Sequence, residues 1–261
     1  MLWLLCGCTI SQSGRNIEPS GFVEEYHLAP GFKVEKVCYN AMEHVAYLWE
    51  TNTDQIHIFQ NDKLVNTIGG RGFERGNFQK LSDICLSPDG NLIALDSFDR
   101  SLKKFDKTGN LVTEIKIDKN LNPSLAAMSL DEKIYIYDGK SKEILVLDNR
   151  GKEKESFGSL QFNEISSLEL YQDILSLYDK EQNITLFYSR YGQLLDEHEG
   201  HCFMERDQIY ILKDYFLEHL PDKEKFAVHT RSWQNIFYQS PEIILYDGEK
   251  IAIGKMKYAQ N

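Results

Sequence analysis

An all-β chain of sheets arranged radially is what this sequence predicts, and three observations carry the prediction. The first is a drifting repeat. Asp96, Asp138 and Asp179 each close an apolar run and stand 42 and 41 residues apart. The second is an independent mark with the same spacing: Gly109, Gly151 and Gly192 each close a turn, again 42 and 41 apart. The third is strand-length runs of β-rich residues inside each repeat, such as Leu92-Ile-Ala-Leu, Ile134-Tyr-Ile-Tyr and Leu175-Ser-Leu-Tyr. Self-similarity at this period, with several short strands per unit, defines a β-propeller.

Each unit divides into four strands. The first leads into Ser87-Pro-Asp-Gly90, where proline pre-sets φ and glycine tolerates a positive one. The second is the apolar run ending at the repeated aspartate. The third is Leu102-Lys-Lys-Phe, Ile144-Leu-Val-Leu or Ile184-Thr-Leu-Phe. The turns around Gly109 and Gly151 lead into a fourth, Leu111-Val-Thr-Glu-Ile and Lys154-Glu-Ser-Phe. Second strands are expected to start at Val45, Leu92, Ile134, Leu175, Ile209 and Ile251, which gives six blades of four antiparallel strands. Five blades with an irregular last one is the alternative. The fifth unit departs most, and the stretch 215–225 reads as a helical or irregular insert. Phe22–Leu28 alternates without a partner of its own. It is expected to complete the last blade, hiding two sheet edges that would invite aggregation.

The unit from Gly70-Arg-Gly-Phe-Glu-Arg-Gly-Asn-Phe78 through Asp83-Ile-Cys-Leu-Ser-Pro-Asp-Gly-Asn-Leu-Ile-Ala-Leu-Asp-Ser97 to Leu102-Lys-Lys-Phe-Asp-Lys-Thr-Gly109 resembles the NHL repeat. The chain as a whole is similar to six-bladed propeller lipoproteins of bacterial envelopes. Propellers of this type serve mostly as binding scaffolds, so the resemblance implies a site on a face or on the axis and no particular chemistry.

Composition agrees with a single domain over 21–261. Net charge is −11, from 29 basic and 40 acidic residues, with no basic stripe to neutralise phosphates. Nucleic acid is therefore not an expected partner. At the N-terminus, Leu5-Cys6-Gly7-Cys8 resembles a lipobox, and 9–20 is a polar tether. The resemblance implies lipidation at Cys8, a membrane anchor and an envelope location. The apolar run before Cys8 is too short for a spanning helix, which needs about 20 apolar residues.

Cys38, Cys85 and Cys202 each lie seven residues before an expected second strand, and Ala127 holds the same offset. These four residues are expected to line the axis on innermost strands, where small apolar side chains fit. A ring of thiols that binds metal is the sharper alternative. No disulfide is expected between neighbouring blades, which pack about 10 Å apart.

His198-Glu-Gly-His201-Cys202 is the tightest cluster of metal-type ligands, but it supplies at most part of a zinc set. Propeller lactonases and lyases hold an axial metal on acidic, Asn or His ligands, and no such set maps onto this sequence. The repeated aspartates argue for structure, because a carboxylate after a strand accepts bonds from turn amides. Trp49 is read as replacing that aspartate in the first blade. With Arg71, Phe73 and Arg75 on the next crossing loop, it forms a candidate binding surface of arginine and aromatic type.

Two readings follow. In the first the chain is a non-enzymatic, envelope-anchored scaffold for a protein, peptide or glycan, and it needs no cofactor. In the second it is a lactonase-like hydrolase or lyase that uses a divalent metal.

Overall fold

The structure, a computed structural model, describes residues 19–118, 120–213, 216–228, 235–239 and 241–258. Cys8 and most of the tether lie outside the described residues. Among the described residues all regular elements are strands, and they form six separate four-stranded sheets. Blade one comprises β2 (Val34–Asn40), β3 (Val45–Glu50), β4 (Gln55–Gln60) and β5 (Lys63–Gly69). Blade two comprises β6 (Leu81–Leu86), β7 (Leu92–Asp96), β8 (Ser101–Phe105) and β9 (Leu111–Lys116). Blade three comprises β10 (Pro123–Met128), β11 (Ile134–Asp138), β12 (Glu143–Leu147) and β13 (Glu153–Phe157). Blade four comprises β14 (Ile165–Tyr171), β15 (Ile174–Asp179), β16 (Ile184–Ser189) and β17 (Leu194–Glu199).

Blade five is shorter: β18 (Cys202–Glu205), β19 (Gln208–Lys213), β20 (Phe216–His219) and β21 (Lys225–Ala227). The insert expected over 215–225 is instead a hairpin across the described part of that stretch. Leu217 pairs with Phe226, and both are buried, so the pair is held by apolar packing that the short strands disguised. Blade six comprises β22 (Asn235–Gln239), β23 (Glu242–Tyr246), β24 (Ile251–Tyr258) and β1 (Pro19–Leu28). Its second strand is β23, not the run at Ile251. β1 pairs with β24 from Phe22↔Met256 to Leu28↔Ile251, so the earliest and latest strands close the ring. The closure expected of Phe22–Leu28 is present.

Both faces of each sheet are apolar because both are covered. Five hydrophobic clusters lie between blades rather than within them. One joins Tyr47, Ile56 and Ile58 of blade one to Ile84, Leu92 and Phe105 of blade two. Another joins Tyr135 and Val146 of blade three to Leu175 and Leu186 of blade four. Burying such side chains stabilises by about 1.5–3 kcal/mol each.

The repeated aspartates pin the entry of the innermost strand in blades two to four. Asp96 accepts from the Gln79 N–H (2.7 Å), the Lys80 N–H (3.1 Å) and the Asp99 N–H (3.0 Å). Asp138 accepts from the Asn122 and Ser141 amides, and Asp179 from the Asn163 and Glu164 amides. In blade one this place belongs to Glu50, since Glu50 pairs with Val34 as Asp96 pairs with Leu81. Trp49 is one residue off the position assigned to it from sequence, because β3 carries one residue more than β7. The repeated glycines do two jobs. Gly151 has φ +78°, and a Cβ there would stand 2.4 Å from the Lys116 carbonyl oxygen of the preceding blade.

Candidate functional site

The site is the axis, and register decides which side chains reach it. The innermost strands are β2, β6, β10, β14, β18 and β22. Side chains alternate along a strand, so a slip of one residue exchanges the face turned to the next blade for the face turned to the preceding one. Cys38, Cys85, Ala127 and Glu169 share one position, opposite Tyr47, Ile93, Tyr135 and Ser176. Counted back from the hairpin pairs Tyr171↔Ile174, Glu205↔Gln208 and Gln239↔Glu242, the same position is Phe203 in blade five and Phe237 in blade six.

The expectation for Cys202 is thereby corrected. Cys202 pairs with Ile211, aligns with Leu168 and is fully buried between blades. Cys38, Cys85 and Ala127 do hold equivalent positions. All three described thiols are free. Burial pushes the Cys38 thiol up to about 12 and the Cys202 thiol up to about 11, so neither is a ready thiolate.

Two residues earlier on the same strands stand Lys36, Asp83, Leu125 and Ser167. Lys36 Nζ donates to Asp83 Oδ1 at 2.6 Å across the blade one–blade two boundary. Asp83 Oδ1 also accepts from the Ile84 N–H (2.9 Å), and its Oδ2 accepts from the Ala126 N–H of blade three (2.8 Å). One carboxylate therefore ties three blades. Burial opposes the Lys36 charge, but the Asp83 carboxylate outweighs it and holds the ammonium above its ordinary range.

Glu169 comes from blade four. Its Oε1 accepts from Ser167 Oγ (3.0 Å) and from the Tyr238 N–H of blade six (3.5 Å). Oε2 is buried without a hydrogen-bond partner. Burial pushes this carboxyl up to about 7, against the pull of Lys36. An acid, an ion pair and two thiols thus meet on one half of the axis. Phe203 stacks on Tyr238 at 4.8 Å on the other half.

The tight sequence cluster at 198–202 does not converge. His198 Nε2 lies 3.1 Å from Asp196 Oδ2, the His201 ring stacks on Tyr178, and Cys202 Sγ turns toward the carbonyls of Glu199 and Gly200. Among the described residues no three His, Cys, Asp or Glu side chains are grouped to hold a metal ion. The axis does not fit one either. Asp83 is committed to Lys36 and two amides, its equivalents in blades one, three and four are Lys36, Leu125 and Ser167, and the places equivalent to Glu169 carry Cys, Ala or Phe.

The four residues read as a surface patch separate. Trp49 is half-buried and packs into the core between blades one and two, with its Nε1 buried and unpaired. Arg71, Phe73 and Arg75 are exposed on the crossing loop, and Arg71 Nε donates to Asp54 Oδ2 at 3.0 Å.

Lys36, Asp83 and Glu169 belong to no recognisable sequence motif. The available signal was Lys36-x-Cys38, Asp83-x-Cys85 and Ser167-x-Glu169: residues two apart share a face, and three first strands carry polar partners there.

No family model matches the chain, and no curated protein matches it. Among solved structures, it is similar to the virginiamycin B lyase of Staphylococcus aureus, with 12% identity over 87% of this chain and 82% of that one and a TM-score of 0.61. It is also similar to a gluconolactonase of Xanthomonas campestris, with 9% identity over 96% and 100% and a TM-score of 0.65. These likenesses establish the fold: a six-bladed β-propeller.

Proposed function

We propose that the chain is a non-enzymatic propeller that binds a protein, peptide or glycan at its open face. One observation carries the reading: the axis neutralises itself. The Lys36 ammonium satisfies Asp83 and faces Glu169 where a catalytic cation would need free carboxylates. The resemblance of 5–8 to a lipobox supports an envelope location, with the propeller held on a membrane through lipid at Cys8.

The second reading is a lactonase- or lyase-like enzyme. It is favoured by the likeness to a lyase and a gluconolactonase, both remote in sequence.

Metal analysis by mass spectrometry after dialysis, with lactone hydrolysis assayed on the same sample, separates the two. The scaffold reading expects no stoichiometric divalent ion and no turnover. About one retained ion per chain together with hydrolysis would overturn it.

A further inference from the structure

Blade five's outermost strand β21 is only three residues long, whereas β17 beside it has six. A cleft of about 740 Å³ opens between these blades, inside the ~300–1,000 Å³ range of small-ligand sites. It lies on the flank of the ring and is separate from the axial cluster.

The cleft's two walls differ in charge. Blade four supplies Glu199, exposed and without a described salt-bridge partner, and His198, already held by Asp196. Blade five supplies Lys213 and Lys223. Lys213 Nζ lies 3.0 Å and Lys223 Nζ 3.8 Å from Glu218 Oε1, and Lys225 Nζ lies 3.9 Å from Oε2. Three ammonium groups thus share the Glu218 carboxylate, while the neighbouring Asp222 carboxylate is held by His219 Nδ1 at 2.8 Å. The Lys213 hydrogen bond, aided by the charges of all three, holds the Glu218 carboxyl below its ordinary range.

Between the walls lie Ile209, Leu212, Leu220 and Pro221, an apolar floor. His201 stacks on Tyr178 at 4.5 Å, and its ring nitrogens have no hydrogen-bond partner among the described residues. Burial pushes its pKa down to about 4, so at neutral pH it is an uncharged imidazole with one donor and one acceptor to offer.

We propose that this cleft binds short apolar peptides, with the free carboxylate held by Lys213 and Lys223, the free amino group toward Glu199, and the side chains on the Ile209–Leu220 floor. Opposite charges on opposite walls select a dipolar ligand, and the floor selects an apolar body. The unpaired imidazole of His201 suits a peptide amide, which both donates and accepts.

Calorimetric titration of the full chain with trileucine, C-terminally amidated trileucine and N-acetyl trileucine tests the assignment. Trileucine is expected to bind saturably, and each blocked form to bind at least about tenfold more weakly. Lys223→Ala, at an exposed loop position, is expected to weaken trileucine several-fold and to leave the amidated form unchanged; Glu199→Gln is expected to act on the amino end in the same way. Wild-type protein that is folded by circular dichroism yet shows no saturable binding would overturn the proposal. So would equal affinity for the blocked and free forms, or variants that bind like wild type.

Discussion

Blades two to four and blade five are built to one plan with different fidelity. In blades two to four an aspartate ends the second strand, accepts amides from the entering crossing loop and fixes the start of the innermost strand. In blade five Lys213 ends the corresponding strand, and its ammonium reaches outward to Glu218. The first arrangement converts a repeat in sequence into rigid geometry. The second gives up that latch, shortens the strands and opens a cleft. Regularity here marks scaffold, and departure from it marks a place where a ligand has room.

Removing the latch tests this contrast most severely. Asp96→Ala leaves three backbone amides without their acceptor inside a packed ring, and a loss of about 2–4 kcal/mol is expected in denaturant unfolding. Lys213→Ala, at the end of the matching strand, is expected to stay within about 0.5 kcal/mol. Equal losses would erase the distinction between the blades.

Gly151→Val attacks the same rigidity through the backbone. It imposes a positive φ on a β-branched residue and drives Cβ into the Lys116 carbonyl of the preceding blade. A loss of about 2 kcal/mol or more is expected, measured as a fall in the urea midpoint without a change in slope. A neutral outcome would mean that neighbouring blades slide apart freely.

The axis offers a pH test. The Glu169 carboxyl is raised from 4.5 to about 7 in the folded protein. The folded state therefore holds this proton more tightly than the unfolded chain. Its contribution is fully present below pH about 4.5 and is lost as pH rises through about 7. Glu169→Gln is expected to match wild type near pH 4.5 and to exceed it by about 1–3 kcal/mol at pH 8. Glu242, also raised to about 7 by burial, titrates in the same window, so Glu242→Gln is the necessary companion variant. A pH slope that survives in the double variant would place its origin elsewhere.

The smallest effect concerns local opening. Amides of β20 and β21 are expected to exchange hydrogen faster than those of β7 and β8, by native-state exchange. Equal protection would show that blade five is short without being looser.

What was legible in the sequence followed the latch. Where Asp96, Asp138 and Asp179 recur, the strands of blades two to four are legible directly, whereas the count of six and the closing role of Phe22–Leu28 rest on apolar runs and alternation outside that repeat. Where the aspartate is absent, only apolar runs mark the register, and they leave it open by one residue: Trp49 stands next to Glu50, which holds the latch position, and Cys202 next to Phe203, which holds the position of Cys38. Strand β22 is hard to read because its apolar run, Ile236-Phe-Tyr238, is only three residues long. The axial ion pair is hidden for a different reason: Lys36, Asp83 and Glu169 come from different blades, and the two-residue spacing on each strand marks a shared face without saying that the three faces meet.

Pairing β1 with β24 has a consequence for the order of events during synthesis. β1 emerges from the ribosome before any other described strand, and its partner emerges after all of them. Until then β1 has no neighbour to pair with, and five blades must wait with an open gap in the ring. The last contact formed spans nearly the whole chain, so closure is expected to be the slow step of folding, and a nascent chain stalled before Ile251 would present bare strand edges to its neighbours.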